Sequence, residues 1–424
     1  MTVDQIRALG PAFTSYCNAF ARCFPRRETL RHLATYCRGL LSDLARKSVE
    51  PIALAAGVAV RTLQEFLSHH AWDHARMRDQ LQRRIVREHL PAPDERRDKL
   101  GVIGLIDETG TAKKGHKTPG VQRQYCGRTG KVDNCIVTVH LGCSYGDFKT
   151  LIDSELFLPE KSWHADRQRC RDAYIPDDVV YRPKSQIALE LYRRAVANGI
   201  HFDWLTFDEW YGSKPSFLAE LETAGQLYVA EVPISTPCWP TLPKYHSGRK
   251  PFAAKRVDNV GRHSPVFTRK HWHLIKIRRE TLPPQRWLVK AAQVHLARQG
   301  EPTERTYWLI VARNQNTDEF KYFLSNAPPR TALKTLLGVA FTRAKIEHIF
   351  RVLKSEIGFS HFEGRSYRGL MRHMILCQLV MTFIAEQAVP LRGKKSGDHA
   401  RADRAGAQHR LPEVVPAWLP ALAG

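Results

Sequence analysis

Two stretches of this chain carry the same pattern, and it limits the fold more than any other feature. "GVIGLIDETG" (101–110) is an apolar run of buried-strand length that ends in Asp107 and Glu108. "FDWLTFDEWYG" (202–212) is a second apolar run, ending in Asp208 and Glu209. Continuously apolar strands belong inside a sheet covered on both faces. Strand side chains alternate faces, so Asp107 shares a face with Ile103 and Leu105, and Asp208 with Trp204 and Thr206. If the two strands end side by side, Asp107 and Asp208 meet, and adjacent carboxylates repel unless they share a proton or a cation. Mg²⁺ suits such a pair because it takes oxygen ligands and keeps waters that substrate phosphates replace. Glu108, on the opposite face, reads as structural.

The texture around these runs changes several times. Residues 1–95 show apolar positions at three- and four-residue spacing and predict an all-α domain. Within it, "EPIALAAGVAVRTLQEFL" has a short apolar face, a turn at Gly57 and a second helix offering Arg61, Thr62, Gln64 and Glu65. That pattern reads either as a DNA-binding helix-turn-helix or as plain helical packing. "LPAPDERRDK" (90–99) is a linker. Residues 96–225 predict a first α/β part: strands at "KLGVIGLID", "NCIVTVHLGCS" and "FKTLIDSELFLP", a helix over "PKSQIALELYRRAVANG" capped by Ser185, and a strand at "FDWLTF". Strand-like pieces from "QLYVAEVPI" to "FKYFLSN" make 226–328 a β-rich insertion. Helices return over 329–390, and 391–424 is a basic, aperiodic tail predicted to be disordered.

Charge narrows the partners. Lys and Arg number 65 against 42 Asp and Glu, a net of +23 spread along all 424 residues, which points to a polyanion such as nucleic acid. Nine cysteines without a Cys-x2-Cys pair read as reduced thiols, neither a disulfide framework nor a zinc site, and no His-Glu-x-x-His helix supports a zinc hydrolase. No apolar stretch reads as a membrane span and the start lacks a signal-peptide core, so no membrane partner is expected and the location predicted is the cytoplasm, on the bacterial nucleoid when bound to DNA.

A third carboxylate comes from "RAKIEHIFRVLK", where Arg343, Glu347, Arg351 and Lys354 form a charged stripe opposite Ile346, Ile349, Phe350 and Leu353. Taken alone, this is also the pattern of a solvated helix face with ion pairs. Arg343-x3-Glu347-x6-Lys354 resembles the third motif of DDE insertion-sequence transposases of the Tyr-x2-Arg-x3-Glu-x6-Lys type, with Ala340 at the tyrosine position. The resemblance runs from "GLLSDLARK" to "RHMILCQLVMTF" and takes in "IDETGTAKKG", "YCGRTGKVDNC", "LIDSELFLPEKSW", "FDEWYG" and "GFSHFEGRSYRGLMRH".

That resemblance implies an α/β, RNase H-like mixed sheet flanked by helices, interrupted by the β-rich insertion and preceded by the all-α DNA-binding domain. It implies Asp107, Asp208 and Glu347 as catalytic ligands of two Mg²⁺ ions, with Mn²⁺ as substitute. Arg343, Arg351, Lys354, Lys113, Lys114 and Arg365 would neutralise DNA phosphates, while Arg61 and Gln64 would read the element's ends. In relatives a tryptophan of the insertion can stack on a flipped base, and Trp239, Trp272, Trp287 and Trp308 are the candidates. The expected partners are double-stranded DNA, as terminal inverted repeats and target, and a second copy of the chain. The expected function is transposition by metal-dependent cleavage and strand transfer. The alternatives are a non-catalytic regulator or targeting protein derived from a transposase, and an RNase H-like nuclease that cuts without joining.

Overall fold

The computed structural model describes residues 3–96, 98–127, 129–243, 253–277 and 285–393. Of the tail predicted over 391–424, residues 394–424 lie outside the described residues. Five helices come first: α1 (Val3–Asn18), α2 (Arg27–Leu41), α3 (Val49–Ala55), α4 (Val60–Ser68) and α5 (His74–His89). Strands β1 (Ile103–Ala112), β2 (Gln122–Cys126), β3 (Lys131–Tyr145) and β4 (Phe148–Leu156) follow, then α6 (Arg167–Asp172) and α7 (Lys184–Ala197). Next are β5 (Trp204–Phe207), α8 (Glu209–Gly212), α9 (Pro215–Thr223) and β6 (Tyr228–Glu231). A β-rich stretch holds β7 (Pro237–Trp239), β8 (Lys255–Arg256), α10 (Val257–His263), α11 (Pro265–Thr268), β9 (His273–Ile277), β10 (Gln285–Arg298), β11 (Glu301–Pro302), β12 (Tyr307–Asn314) and β13 (Phe320–Ser325). The chain then closes with α12 (Leu333–Thr342), α13 (Ala344–Val352) and α14 (Tyr367–Gly393).

The mixed α/β chain divides into two compact units, with the breaks inside β1 after Asp107 and inside α13 after Lys345. One unit takes the chain up to Pro91, Glu108–Ile200 and the part from Ile346 on; the other takes Ala92–Asp107 and His201–Lys345.

In the first unit β3 pairs antiparallel with β2 and β4 and lies beside the second half of β1, where the Thr138 hydroxyl donates to the Thr109 carbonyl. β2 is missing from the predicted strands because its alternating "QRQYC" is polar and short. The axis of the unit is α14, packed on β4 and against α2, α4 and α5. Its Tyr367–Ala388 part is long and apolar enough to cross a membrane, contrary to the sequence expectation, but 94% of its most apolar window is buried in the fold. A helix apolar all round is the signature of a core helix as well as of a span. A polar network crosses the same core: Arg194 of α7 binds Asp153 (3.0 Å) and Glu155 (3.1 Å) of β4, Arg78 of α5 lies 3.9 Å from Asp153, and the Tyr367 hydroxyl donates to Glu155. The helix α7 begins at Lys184 behind Pro183, with no side-chain cap, so Ser185 sits inside its first turn and is not the cap the sequence suggested.

The α3–α4 hairpin turns at Gly57, whose φ of +64° is the left-handed conformation that favours glycine. Leu63, Phe66 and Leu67 of α4 are buried, while Arg61 and Gln64 are exposed on the opposite face and Arg61 pairs with Glu65 at 2.8 Å. Buried Arg372 of α14 donates to the carbonyls of Phe66 (3.2 Å), Leu67 (3.1 Å), His70 (2.8 Å) and Trp72, satisfying acceptors that the end of α4 leaves open. The orientation of α4 is thereby fixed to α14.

In the second unit the first half of β1, β5 and β6 run parallel in that order. β13, β12 and β10 continue the sheet antiparallel from β6, and β7, β9 and β11 pair with β10. α12 lies on β5 and β6. The sequence pattern places "QLYVAEVPI" at the start of the β-rich insertion; the pairing makes β6 the third parallel strand of the acid-bearing sheet. A strand's own alternation does not reveal which neighbour it will pair with.

Candidate active site

β1 and β5 pair with Leu105 opposite Thr206 and Ile106 opposite Phe207, so Asp107 and Asp208 are the next residues on two adjacent parallel strands. β6 pairs with β5 with Ala230 opposite Phe207, which puts Glu231 next in line beside Asp208. Asp107 within β1, Asp208 just past β5 and Glu231 at the end of β6 thus fall in line across three neighbouring strands. Sequence reasoning missed Glu231, since "YVAE" carries a single acid and lacks the Asp-Glu doublet of the other two strands.

Asp208 is also the N-cap of α8. Its Oδ1 accepts from the amides of Trp210 (3.1 Å) and Tyr211 (3.2 Å), so both of these bonds fall on one carboxylate oxygen. Burial raises its carboxyl above the usual range, opposed by those two amides and Arg343, while Glu231 adds to the rise. α8 sits tight against the end of β6: a Cβ on Gly212 would come 2.0 Å from the Glu231 carbonyl oxygen, so only glycine fits the last position of "FDEWYG".

Arg343, at the end of α12, spans the acids. Its Nη1 is 3.8 Å from Asp107 Oδ2 and its Nε 3.6 Å from Glu231 Oε2, and Lys321 of β13 holds Glu231 Oε1 at 2.7 Å. Asp107, Glu231 and Arg343 side chains are 14%, 15% and 19% exposed, so these pairs are partly desolvated and weigh more than surface ones.

The remaining candidates fall in the first unit. Glu108 pairs with Lys184 in the first turn of α7. Lys113 donates to the carbonyls of Phe362 (2.5 Å) and Ser360 (3.4 Å), and burial pulls its ammonium down to about 8. Lys354, on the π-helical turn Leu353–Ile357 that extends α13, donates to the Thr109 hydroxyl and to the Gly110 carbonyl. Glu347, Lys114, Arg351 and Arg365 are exposed, with Arg351 2.9 Å from His348 Nδ1. Of the four tryptophans, Trp239 and Trp287 are buried, Trp308 donates to the Pro328 carbonyl, and Trp272 is 38% exposed with the Lys290 ammonium over its ring.

Asp107 and Asp208 are therefore brought together within one unit, whereas Glu347 belongs to the other. Among the described residues, no three His, Cys, Asp or Glu side chains gather closely enough to hold a metal ion. The donor chemistry of the pair itself fits a hard divalent cation: two carboxylates in register on adjacent strands, one of which leaves an oxygen outside its helix cap.

A family model described as DDE superfamily endonuclease matches residues 19–288, taking in both acid doublets and ending before α12. A protein from Microchaete diplosiphon described as "Probable transposase for insertion sequence element IS701" is 26% identical over 355 residues, which cover 83% of this chain and 81% of that protein. The family match spans well over half of the chain, and the chain belongs to the DDE superfamily endonucleases.

Proposed function

We propose that this member of the DDE superfamily endonucleases is an insertion-sequence transposase, which binds the terminal inverted repeats of its element, cleaves there and joins the freed strand to target DNA. The observation that carries the reading is the register of β1 and β5, which sets Asp107 beside Asp208 within the residues the family match covers. The similarity to a probable insertion-sequence transposase supports the choice of element ends as substrate.

Asp107, Asp208 and Glu347 of the Arg343-x3-Glu347-x6-Lys354 motif are the carboxylates that would hold divalent metal, Mg²⁺ or Mn²⁺. When bound, such ions activate the attacking oxygen and stabilise the leaving oxygen of a phosphodiester. The chain's own residues hold the DNA in place: Lys114, Arg351 and Arg365 present exposed charge for phosphates, and Arg61 and Gln64 of α4 face outward for end recognition. Lys113 and Lys354 would reach phosphate by giving up their carbonyl and hydroxyl acceptors. Synapsis of two ends calls for a dimer, and the work is done on nucleoid DNA in the cytoplasm.

The test is a strand-transfer assay on precut element ends with Mg²⁺, the ends being taken from the inverted repeats that flank the gene. Joined product is the expected result. Cleavage without joining would make the protein a nuclease, and binding without either would make it a regulator.

A further inference from the structure

We propose that Glu231 is a positioning residue for Arg343, holding the guanidinium beside Asp107 as a counter-cation that gives way there to divalent metal while staying anchored at the rim of the site. The inference rests on the reading of Asp107 and Asp208 as metal-binding acids.

The register of β1, β5 and β6 puts Asp107, Asp208 and Glu231 in line on three neighbouring strands, and two cations reach these acids: Arg343 lies near Asp107 and Glu231, and Lys321 binds Glu231. The two cations are bound differently. Lys321 makes a direct 2.7 Å contact with Glu231 Oε1, which fixes that carboxylate and turns Oε2 toward Arg343. Arg343 stands 3.6 Å from Glu231 and 3.8 Å from Asp107, so its guanidinium is shared between the two acids. A shared guanidinium can leave one acid without leaving the other. It also cannot escape by losing its proton, because arginine stays charged at any working pH. The backbone of Glu231 is held in turn by the pairing of β6 with β13, where Glu231 lies opposite Phe323. With a divalent cation held by Asp107 and Asp208, Arg343 would give up Asp107, and Glu231 would keep the guanidinium at the edge, where an incoming phosphate needs a positive neighbour.

The test measures Mn²⁺ binding to the full-length protein without DNA, by the electron paramagnetic resonance of free Mn²⁺. Arg343→Gln removes the competitor and is expected to bind Mn²⁺ about 3- to 10-fold more tightly, the scale of a partly buried ion pair. Glu231→Gln leaves Arg343 to Asp107 alone and is expected to weaken binding by a similar factor. In the Arg343→Gln background, Glu231→Gln should then change the affinity less than about twofold, because the two residues act as one unit. An equal effect of Glu231→Gln in both backgrounds would make it a direct electrostatic or ligand contribution and overturn the proposal, as would an unchanged affinity in Arg343→Gln. The second of these decides the matter even if Glu231→Gln fails to fold. Asp107→Asn separates the two levels: if it leaves Mn²⁺ binding intact, the metal-site reading itself falls, whereas lost binding with additive Glu231 and Arg343 effects removes this inference alone.

Discussion

Asp107→Asn and Asp208→Asn should each lower cleavage of element-end DNA on the order of 10³-fold or more, the scale seen when a group acting on reaction charge is removed. Their stabilities should part. Burial raises the Asp208 carboxyl, so the fold favours its protonated form. Such a group contributes stability below its unfolded value, about 3.9, and loses it as pH rises through the raised folded value. At neutral pH the buried Asp208 carboxylate therefore costs stability. Asparagine removes that charge yet keeps an oxygen for the amides of Trp210 and Tyr211, and asparagine caps helices as well as aspartate does. Metal-free Asp208→Asn should accordingly melt about 1–3 °C higher than the parent at pH 7, while Asp107→Asn, which strips Arg343 of a partner, should show no such gain. Calorimetry in chelator and a cleavage assay check both halves. Full cleavage by either variant would remove that acid from the site.

The second large effect lies away from the chemistry. Arg194→Met leaves Asp153 and Glu155, 2% and 9% exposed, without their closest cation; Arg78 stays 3.9 Å from Asp153, and the Ser154 amide and the Tyr367 hydroxyl still donate to Asp153 and Glu155 respectively. Removing one member of a buried ion network costs about 3–5 kcal/mol because it strands an uncompensated charge. Urea unfolding of Arg194→Met should show a loss of that size. Neutralising both acids in the same background, with Asp153→Asn and Glu155→Gln, should recover much of it, since replacing a whole buried ionic group is far milder than breaking it. A loss under about 1 kcal/mol would mean the network is worth no more than a surface pair.

How much of this was legible in the sequence depends on whether the signal was local. The acid doublets were: an apolar run, a two-residue period and an abrupt charge are properties of ten consecutive residues, and they marked Asp107 and Asp208 as acids that meet if their strands lie side by side; the pairing of β1 with β5 supplies that condition. Glu231 was not, because its meaning comes from β6 pairing with β5, and four residues reading "YVAE" say nothing about their neighbour. Basic residues near an acid read as solvent-facing, yet the surroundings of Lys113 and Lys354 are set by segments about 245 residues away along the chain, and those segments supply carbonyls and a hydroxyl. Arg343 was legible as a cation of the third motif, but its partner acids belong to β1 and β6. The α14 helix shows the same limit from the apolar side: its composition satisfies a membrane and a protein core alike, and only the surrounding β4, α2, α4 and α5 decide between them.

The central claim is that Asp107 and Asp208 form the cation site at which DNA is cut. Its most direct test is a crystal structure of the protein grown with Mn²⁺ and element-end DNA, with the metal located by its anomalous scattering. The account predicts a Mn²⁺ peak bonded to carboxylate oxygens of both Asp107 and Asp208, about 2.0–2.3 Å away as expected for a hard divalent cation. A Mn²⁺ ion bound elsewhere with both carboxylates left untouched would contradict it.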